Sequence, residues 1–185
     1  YADQMRGEII LDENEDVVIA SSTKSSDIPT TAGAFQQNIG GRQDGIVFKM
    51  NGDLTSLLWS SYFGGTSDDG IYSVIVSKDS SVFIAGGTRS NNLPIDTSIS
   101  FQKNNLSFGN GGTTNSIDGF FAKLKNNGQQ VIQGSYYGSD AYDQTYFVRE
   151  DRSGFVYLFS QSYKFGSYFV KNAGYSIPNS SSILT

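Results

Sequence analysis

Apolar and polar positions along the chain group into short runs rich in Val, Ile, Phe and Tyr, each bounded by Gly, Asn, Asp or Ser. In the clearest segment this patterning predicts four strands, at 45–50, 57–63, 70–77 and 81–87. Asn51-Gly52 and Asn127-Gly128 fall between the first and second strands of their units, where glycine is expected to supply the positive φ of a tight hairpin turn. DENED (12–16), KDSS (78–81) and DRSG (151–154) occupy the equivalent turn before the fourth strand. The pattern is a local antiparallel meander.

The meander repeats. ASSTKSSDIP (20–29) aligns with AGGTRSNNLP (85–94) at an offset of 65, whereas DGIVFKMNGD (44–53) aligns with DGFFAKLKNNG (118–128) at 74. SSYFGGTSDDG (60–70) aligns with GSYYGSDAYDQ (134–144), also at 74, so nine residues are inserted between Pro94 and Asp118. An insertion that leaves its flanking motifs intact belongs in a surface loop. A third copy opens with YFVREDRSGFVYLFSQS (146–162), and NAGYSIPNSSSILT (172–185) echoes the stretch from residue 31. Four-stranded antiparallel units in series predict an all-β fold of β-propeller blades. The expected division is residues 1–23 as the end of one blade, 44–88 with loop 24–43 as a second, 118–162 with loop 89–117 as a third, and 163–185 as the start of the next. A ring needs about 4 to 8 blades, so an incomplete propeller within a longer chain is expected. The alternative architecture is a β-solenoid or open stack of sheets.

Composition narrows the chemistry. The 185 residues carry 21 Gly, 11 Tyr and 13 Phe, which suits strands and turns. A net charge of -5 with scattered bases offers no stripe for a nucleic-acid backbone. No apolar run approaches 18 residues, so no membrane-spanning helix is expected. With no Cys and no His, these residues exclude disulfides, thiolate zinc sites, and Ser-His-Asp or Cys-His catalysis.

Several clusters invite a functional reading. SYFGGTSDDG (61–70) joins an aromatic pair, two glycines and adjacent acids, which could form a small active site. Its counterpart SYYGSDAYDQ keeps only one acid, Asp143 for Asp69, so the motif reads as a glycine-eased corner with a capping Asp, and only Asp68 is left for a particular role. Asp12-x-Asn14-x-Asp16 has the alternating oxygens of a calcium loop without its glycine or closing glutamate, and reads as a turn. Structural calcium is the one cofactor alternative. Asp44 and Asp118 read as acids accepting backbone N–H groups. Lys49 and Lys123 read as solvated strand ends, and Tyr62, Phe63, Tyr136 and Tyr137 as packing between blades. Trp59 stands apart, because its counterpart is Gln133; exposed at a rim, it would anchor a partner. The long connections 24–43 and 89–117, the second carrying Phe101 and Phe108, are where partner contacts are expected. The candidate partner-binding residues are therefore Trp59, Asp68, Phe101 and Phe108, with no catalytic residue assigned.

TKSSDIPTTAGAFQ, GGRQDGIVFKMNGD, LLWSSYFGGTSDDGIYSVIV and VFIAGGT together resemble the SBBP class of bacterial β-propeller repeats. The match is strongest over 16–88; the second unit departs through its insertion, and the third lacks the Thr and DG elements. YFVKNAGYSIPNSSSILT further resembles propeller segments of Bacteroidota surface proteins tied to gliding motility and type IX secretion, although no sorting domain is present in these residues. The resemblance implies a non-enzymatic binding or scaffolding propeller on the extracellular or outer-membrane surface. Its implied partners are proteins or glycans, including outer-membrane secretion or motility components. The alternative is a set of scaffold blades in a propeller hydrolase or lyase whose catalytic residues lie elsewhere.

Overall fold

The computed structural model describes residues 6–107 and 117–164. Among the described residues, ten strands form three antiparallel sheets. Strands β1 (Glu8–Leu11), β2 (Val17–Thr23), β3 (Asp44–Met50) and β4 (Leu57–Phe63) pair in order as the first sheet. Strands β5 (Asp69–Val76), β6 (Val82–Thr88), β7 (Asp118–Leu124) and β8 (Val131–Tyr137) form the second, and β9 (Asp143–Glu150) with β10 (Val156–Ser162) the third. The class is all-β, and the expected strands stand within one residue of their predicted bounds.

Their grouping differs from the expected one by two strands. β4 and β5, expected to be neighbours within the unit 44–88, lie in different sheets, while the long connections 24–43 and 89–117 sit inside sheets, between β2 and β3 and between β6 and β7. Residues 44–63 thus close one sheet and 69–88 open the next, as do 118–137 and 143–162. Residues 8–23, expected as the end of a separate blade, pair through β2 with β3 in the first sheet. A periodic pattern is equally satisfied by any frame of four consecutive strands, and long connections make tempting boundaries. Here each runs back along the free edge of its own sheet. Thr31 N donates to Ser60 O at 3.2 Å and Tyr62 N to Gln36 O at 3.1 Å, and in the second sheet Tyr136 N donates to Gln102 O at 3.3 Å. The exposed backbone of β4 and β8 is thereby paired, which blunts an edge that would otherwise recruit foreign strands.

The hairpins share one construction. Turns at Asp12–Asp16, Ser77–Ser81 and Asp151–Phe155 each close with two backbone hydrogen bonds, and a left-handed residue follows the bend: Glu15 (φ 62°), Ser80 (φ 62°) and Gly154 (φ 87°). The β3–β4 and β7–β8 turns place Leu54 (φ 61°) and Gly128 (φ 67°) in that position. Gly52 therefore does not supply the positive φ expected of it. Its lack of a side chain serves a close approach instead, since a Cβ there would lie 2.8 Å from Glu15 O.

The sheets pack face to face, with β5 crossing β2 and β3, and β9 crossing β5, β6 and β7. One continuous core results, including Val18, Val47, Phe63, Ile71, Val74, Ile84, Phe120 and Leu124. Phe63 and Phe120 stack across the first interface at 5.0 Å, so the packing role between units read for Phe63 is met; Tyr136 joins the same core, and Tyr62 is fully buried. The sheets also converge. Parallel stacking at ~10 Å per layer would hold the first and third sheets ~20 Å apart. Yet Arg149 of β9 reaches Glu8 of β1 at 2.7 Å, and Ser73 of β5 donates to the same carboxylate at 2.6 Å. Burial works against the Glu8 charge, but Arg149, Ser73 and the Val74 N–H outweigh it and hold its carboxyl below the usual range. The leading strands of all three sheets thus meet, and the sheets fan outward from them.

Candidate functional site

Two duplicated carboxylate latches hold the long connections against the sheets. At the start of β3, Asp44 accepts from Gln36 Nε2 (2.8 Å), Gly40 N (2.8 Å) and Gly41 N (3.1 Å). Gln36 Oε1 in turn receives Gly64 N at 2.9 Å, so one amide joins the connection to the inter-sheet junction. Gln102 repeats this role, with Asp118 as acceptor at 3.3 Å and Gly138 N as donor at 3.1 Å. Leu106 N and the Ser107 hydroxyl complete the shell of Asp118. Asp69, at the start of β5, is buried and accepts Gly65 N (2.6 Å), Ser90 Oγ (2.7 Å) and the Thr88 hydroxyl. Asp143 takes Ser139 N and Oγ at 2.6 and 2.8 Å. Tyrosines complete the docking: Tyr62 Oη accepts Ile28 N at 3.1 Å and donates to Ser25 O at 2.9 Å, and Tyr136 Oη accepts Leu93 N at 3.1 Å.

SYFGGTSDDG is consequently the crossing from the first sheet to the second. Gly64 passes so close to Asp44 that a Cβ would lie 2.4 Å from the carboxyl carbon, and Gly138 does the same over Asp118 at 2.8 Å. The acids that matter here are Asp44 with Asp69 and Asp118 with Asp143, rather than the adjacent pair. Burial, reinforced by the neighbouring Asp44 charge, pushes Asp69 up to about 6. Burial, with Asp143 adding to it, pushes Asp118 up to about 7. Asp44 and Asp143 are raised for the same leading reason, burial. Every accepted hydrogen bond favours the charged form, so desolvation is the larger effect.

The other acids and bases are also engaged. Lys49 is buried between Asp12 (2.6 Å) and Asp16 (3.0 Å), which corrects its reading as a solvated strand end. Burial opposes its charge, but the two carboxylates outweigh it and hold it above the usual lysine range. The Asp12–Asp16 oxygens that could begin a calcium loop face this ammonium and the turn's own N–H groups. Among the described residues no group of three or more His, Cys, Asp or Glu is placed to hold a metal ion. Lys123, the repeat counterpart of Lys49, pairs with the exposed Asp79 at 2.6 Å. Replacing Lys49 by Met strands two inward-facing carboxylates and is expected to cost about 2–3 kcal/mol in urea denaturation. Lys123→Met, which breaks a solvated pair, is expected to cost under about 1 kcal/mol.

The four candidate contact residues fare differently. Trp59 is 3% exposed, so it cannot anchor a partner from a rim. Its indole lies beneath the β7–β8 turn, where a Cβ on Gly128 would come within 2.6 Å of Cε3. Asp68 is half-buried and paired with Arg42 at 3.0 Å and Arg89 at 3.8 Å, tying connection 24–43 to the end of β6. Phe101 packs on Tyr137 at 6.0 Å, the same position that Phe35 takes against Phe63 at 6.1 Å. Phe108, like the tail 165–185 with its third-copy echo, lies outside the described residues. Gln36, Gln102 and the Glu8–Ser73–Arg149 cluster were not singled out in the sequence. The signal for the glutamines was present as Phe-Gln at 35–36 and 101–102, which recurs at an offset of 66.

An open cleft of about 340 Å³ separates β4 from the β7–β8 turn. It is lined by Thr31, Lys49, Leu58, Trp59, Asn126 and Gln129 among others. Among the described residues no helix is long and apolar enough to cross a membrane. In comparison with known proteins, the chain matches no protein-family model and no curated protein.

Proposed function

We propose that the chain is a set of β-propeller blades with a non-enzymatic binding or scaffolding role in a larger secreted or surface-attached bacterial protein, of the SBBP-like kind associated with adhesion, gliding motility or type IX secretion. The observation that carries this reading is the convergence of β1, β5 and β9 through Glu8, Ser73 and Arg149, because blades fan from an axis in this way. Apolar side chains at the two ends of the stack agree with flanking blades: Ile9 and Leu11 at one, Phe155, Tyr157 and Phe159 at the other. Asp44 and Asp118 are engaged in holding the long connections in place, so the variable surface of those connections is the part left to meet proteins or glycans.

The test is a cross-linked pull-down from surface extracts of a gliding Bacteroidota bacterium. The wild-type chain is compared with a variant in which 89–117 is shortened to the length of 24–43. A defined surface component recovered by the first and lost by the second is the expected result. Equal recovery by both would remove the extra length of 89–117 from partner recognition.

A further inference from the structure

We propose that the cleft between β4 and the β7–β8 turn binds a small, neutral, polyhydroxylated ligand, in chemical class a saccharide, through Trp59 and Asn126. This deepens the reading of the chain as a binding module, and it places the ligand in a cleft between two sheets, to which connection 24–43 contributes Thr31 and connection 89–117 contributes no described residue.

Four observations carry it. First, Trp59 Nε1 and Asn126 Oδ1 are both buried and have no hydrogen-bond partner. They come from different sheets, yet both residues line this one cleft. One is a donor only and the other an acceptor, and leaving each unpaired costs about 1–3 kcal/mol. A hydroxyl accepts from the first kind of group and donates to the second, so a polyhydroxylated ligand suits the pair without any charge.

Second, the cleft presents no unbalanced cation. Its lysine, Lys49, is held by Asp12 and Asp16. The remaining lining is neutral: the side-chain amides of Asn127 and Gln129, which bond to each other at 3.1 Å, and the exposed aliphatic surface of Leu58. A volume of about 340 Å³ is at the small end of ligand pockets.

Third, the chemistry is not duplicated. The latch residues recur in both sheets as a shared structural need would require, but the counterparts of Trp59 and Asn126 are Gln133 and Gly52. The second sheet forms without a tryptophan at the Trp59 position, and the first without an asparagine at the Asn126 position. Fourth, the turn above the indole is adapted to it. Leu54 occupies the left-handed position in the first sheet's turn, so a side chain is tolerated there by the backbone. At Gly128 a side chain would instead strike the Trp59 ring. Glycine at 128 serves the tryptophan.

Trp59 is the chain's one tryptophan, so its emission reports directly on the cleft. The experiment titrates the full chain with glucose, galactose, mannose, N-acetylglucosamine and their disaccharides, using glycerol and sialic acid as controls. The expected result is a saturable change in emission with at least one neutral sugar, weakened at least tenfold for sialic acid. Asn126→Leu is expected to weaken that binding at least tenfold while keeping the wild-type melting temperature. Calorimetry on Trp59→Phe, which keeps an aromatic ring but removes the N–H, should show the same loss. If no sugar gives a saturable change, or if Asn126→Leu binds as the wild type does, the proposal is overturned. The variant with 89–117 shortened separates this inference from the broader one: it should keep the sugar response even where it loses a protein partner.

Discussion

Asp44→Ala is expected to destabilise the protein by about 3–4 kcal/mol and to release connection 24–43 from the sheet. Removing the carboxylate leaves Gly40 N and Gly41 N without their acceptor and takes one of its two acceptors from Gln36 Nε2. Each orphaned donor costs about 1–3 kcal/mol where water cannot reach it. The total stays below the sum because Gly40 is at the surface and the site sheds a charge that burial disfavours. Gln36 is the link to the rest of the molecule. With Asp44 gone its Nε2 keeps only the exposed Asn38 O as acceptor, so the Oε1 bond to Gly64 N is less firmly oriented, and the crossing to β5 loosens with the connection. Asp44→Asn keeps the shape but turns an N–H₂ toward donors, so an intermediate loss of about 2 kcal/mol is expected. Asp68→Ala, which removes only partly solvated ion pairs, should cost less than about 1 kcal/mol. Urea unfolding midpoints give the three values, and limited proteolysis should show new cleavage within 37–43 for Asp44→Ala alone. A midpoint for Asp44→Ala equal to that of the wild type would mean that the latch does not hold the connection.

This hierarchy explains what could be read from the sequence and what could not. Strand positions were legible because apolar runs and turn residues are local signals, and β3 to β6 stand within a residue of expectation. The frame of the sheets was not, because strand pairing between β2 and β3 spans a twenty-residue connection that local patterning does not see. The repeat correctly reduced SYFGGTSDDG to one recurring acid, yet the partner of that acid is Asp44, distant in sequence and brought close only by the crossing of sheets. Lys49 illustrates the same limit. Its position at a strand end suggested solvent, but the β1–β2 turn folds over it and supplies both counter-charges. Trp59 was recognised as singular from its mismatch with Gln133, whereas its burial follows from Gly128, sixty-nine residues away. In each case the residue type and its recurrence were visible, and the three-dimensional neighbour was not.

Stability is expected to rise as the pH falls from 7 toward 4.5, against the usual behaviour of acid-rich proteins. The two buried acids raised to about 6 and about 7, Asp69 and Asp118, take up protons in the folded state before the same groups do in the unfolded chain, where they titrate near 3.8. Over that window the native state binds more protons, so stability declines with rising pH and is regained on acidification. Protonation also removes the repulsion within each pair, Asp44 with Asp69 and Asp118 with Asp143. Below about pH 4 the sign reverses. Glu8, Asp12 and Asp79 have carboxyls held below their usual range, by Arg149, by Lys49 and by Lys123 with Ser81 respectively. The unfolded chain then gains protons first, and the stability these groups contribute above their unfolded pKa is lost as the pH falls through their folded values. A maximum near pH 4–5 follows. The gain over pH 7 is of the order of 3 kcal/mol, or roughly 6–12 °C in melting temperature for a chain of this size. Melting curves from pH 3 to 8 at constant ionic strength measure it directly. Asp118→Asn removes the larger titration and should flatten the profile between pH 5 and 7, leaving the acid limb below pH 4 in place. A wild-type melting temperature that falls steadily from pH 7 to pH 5 would show that the buried acids are charged throughout, and that their hydrogen bonds rather than desolvation set their protonation.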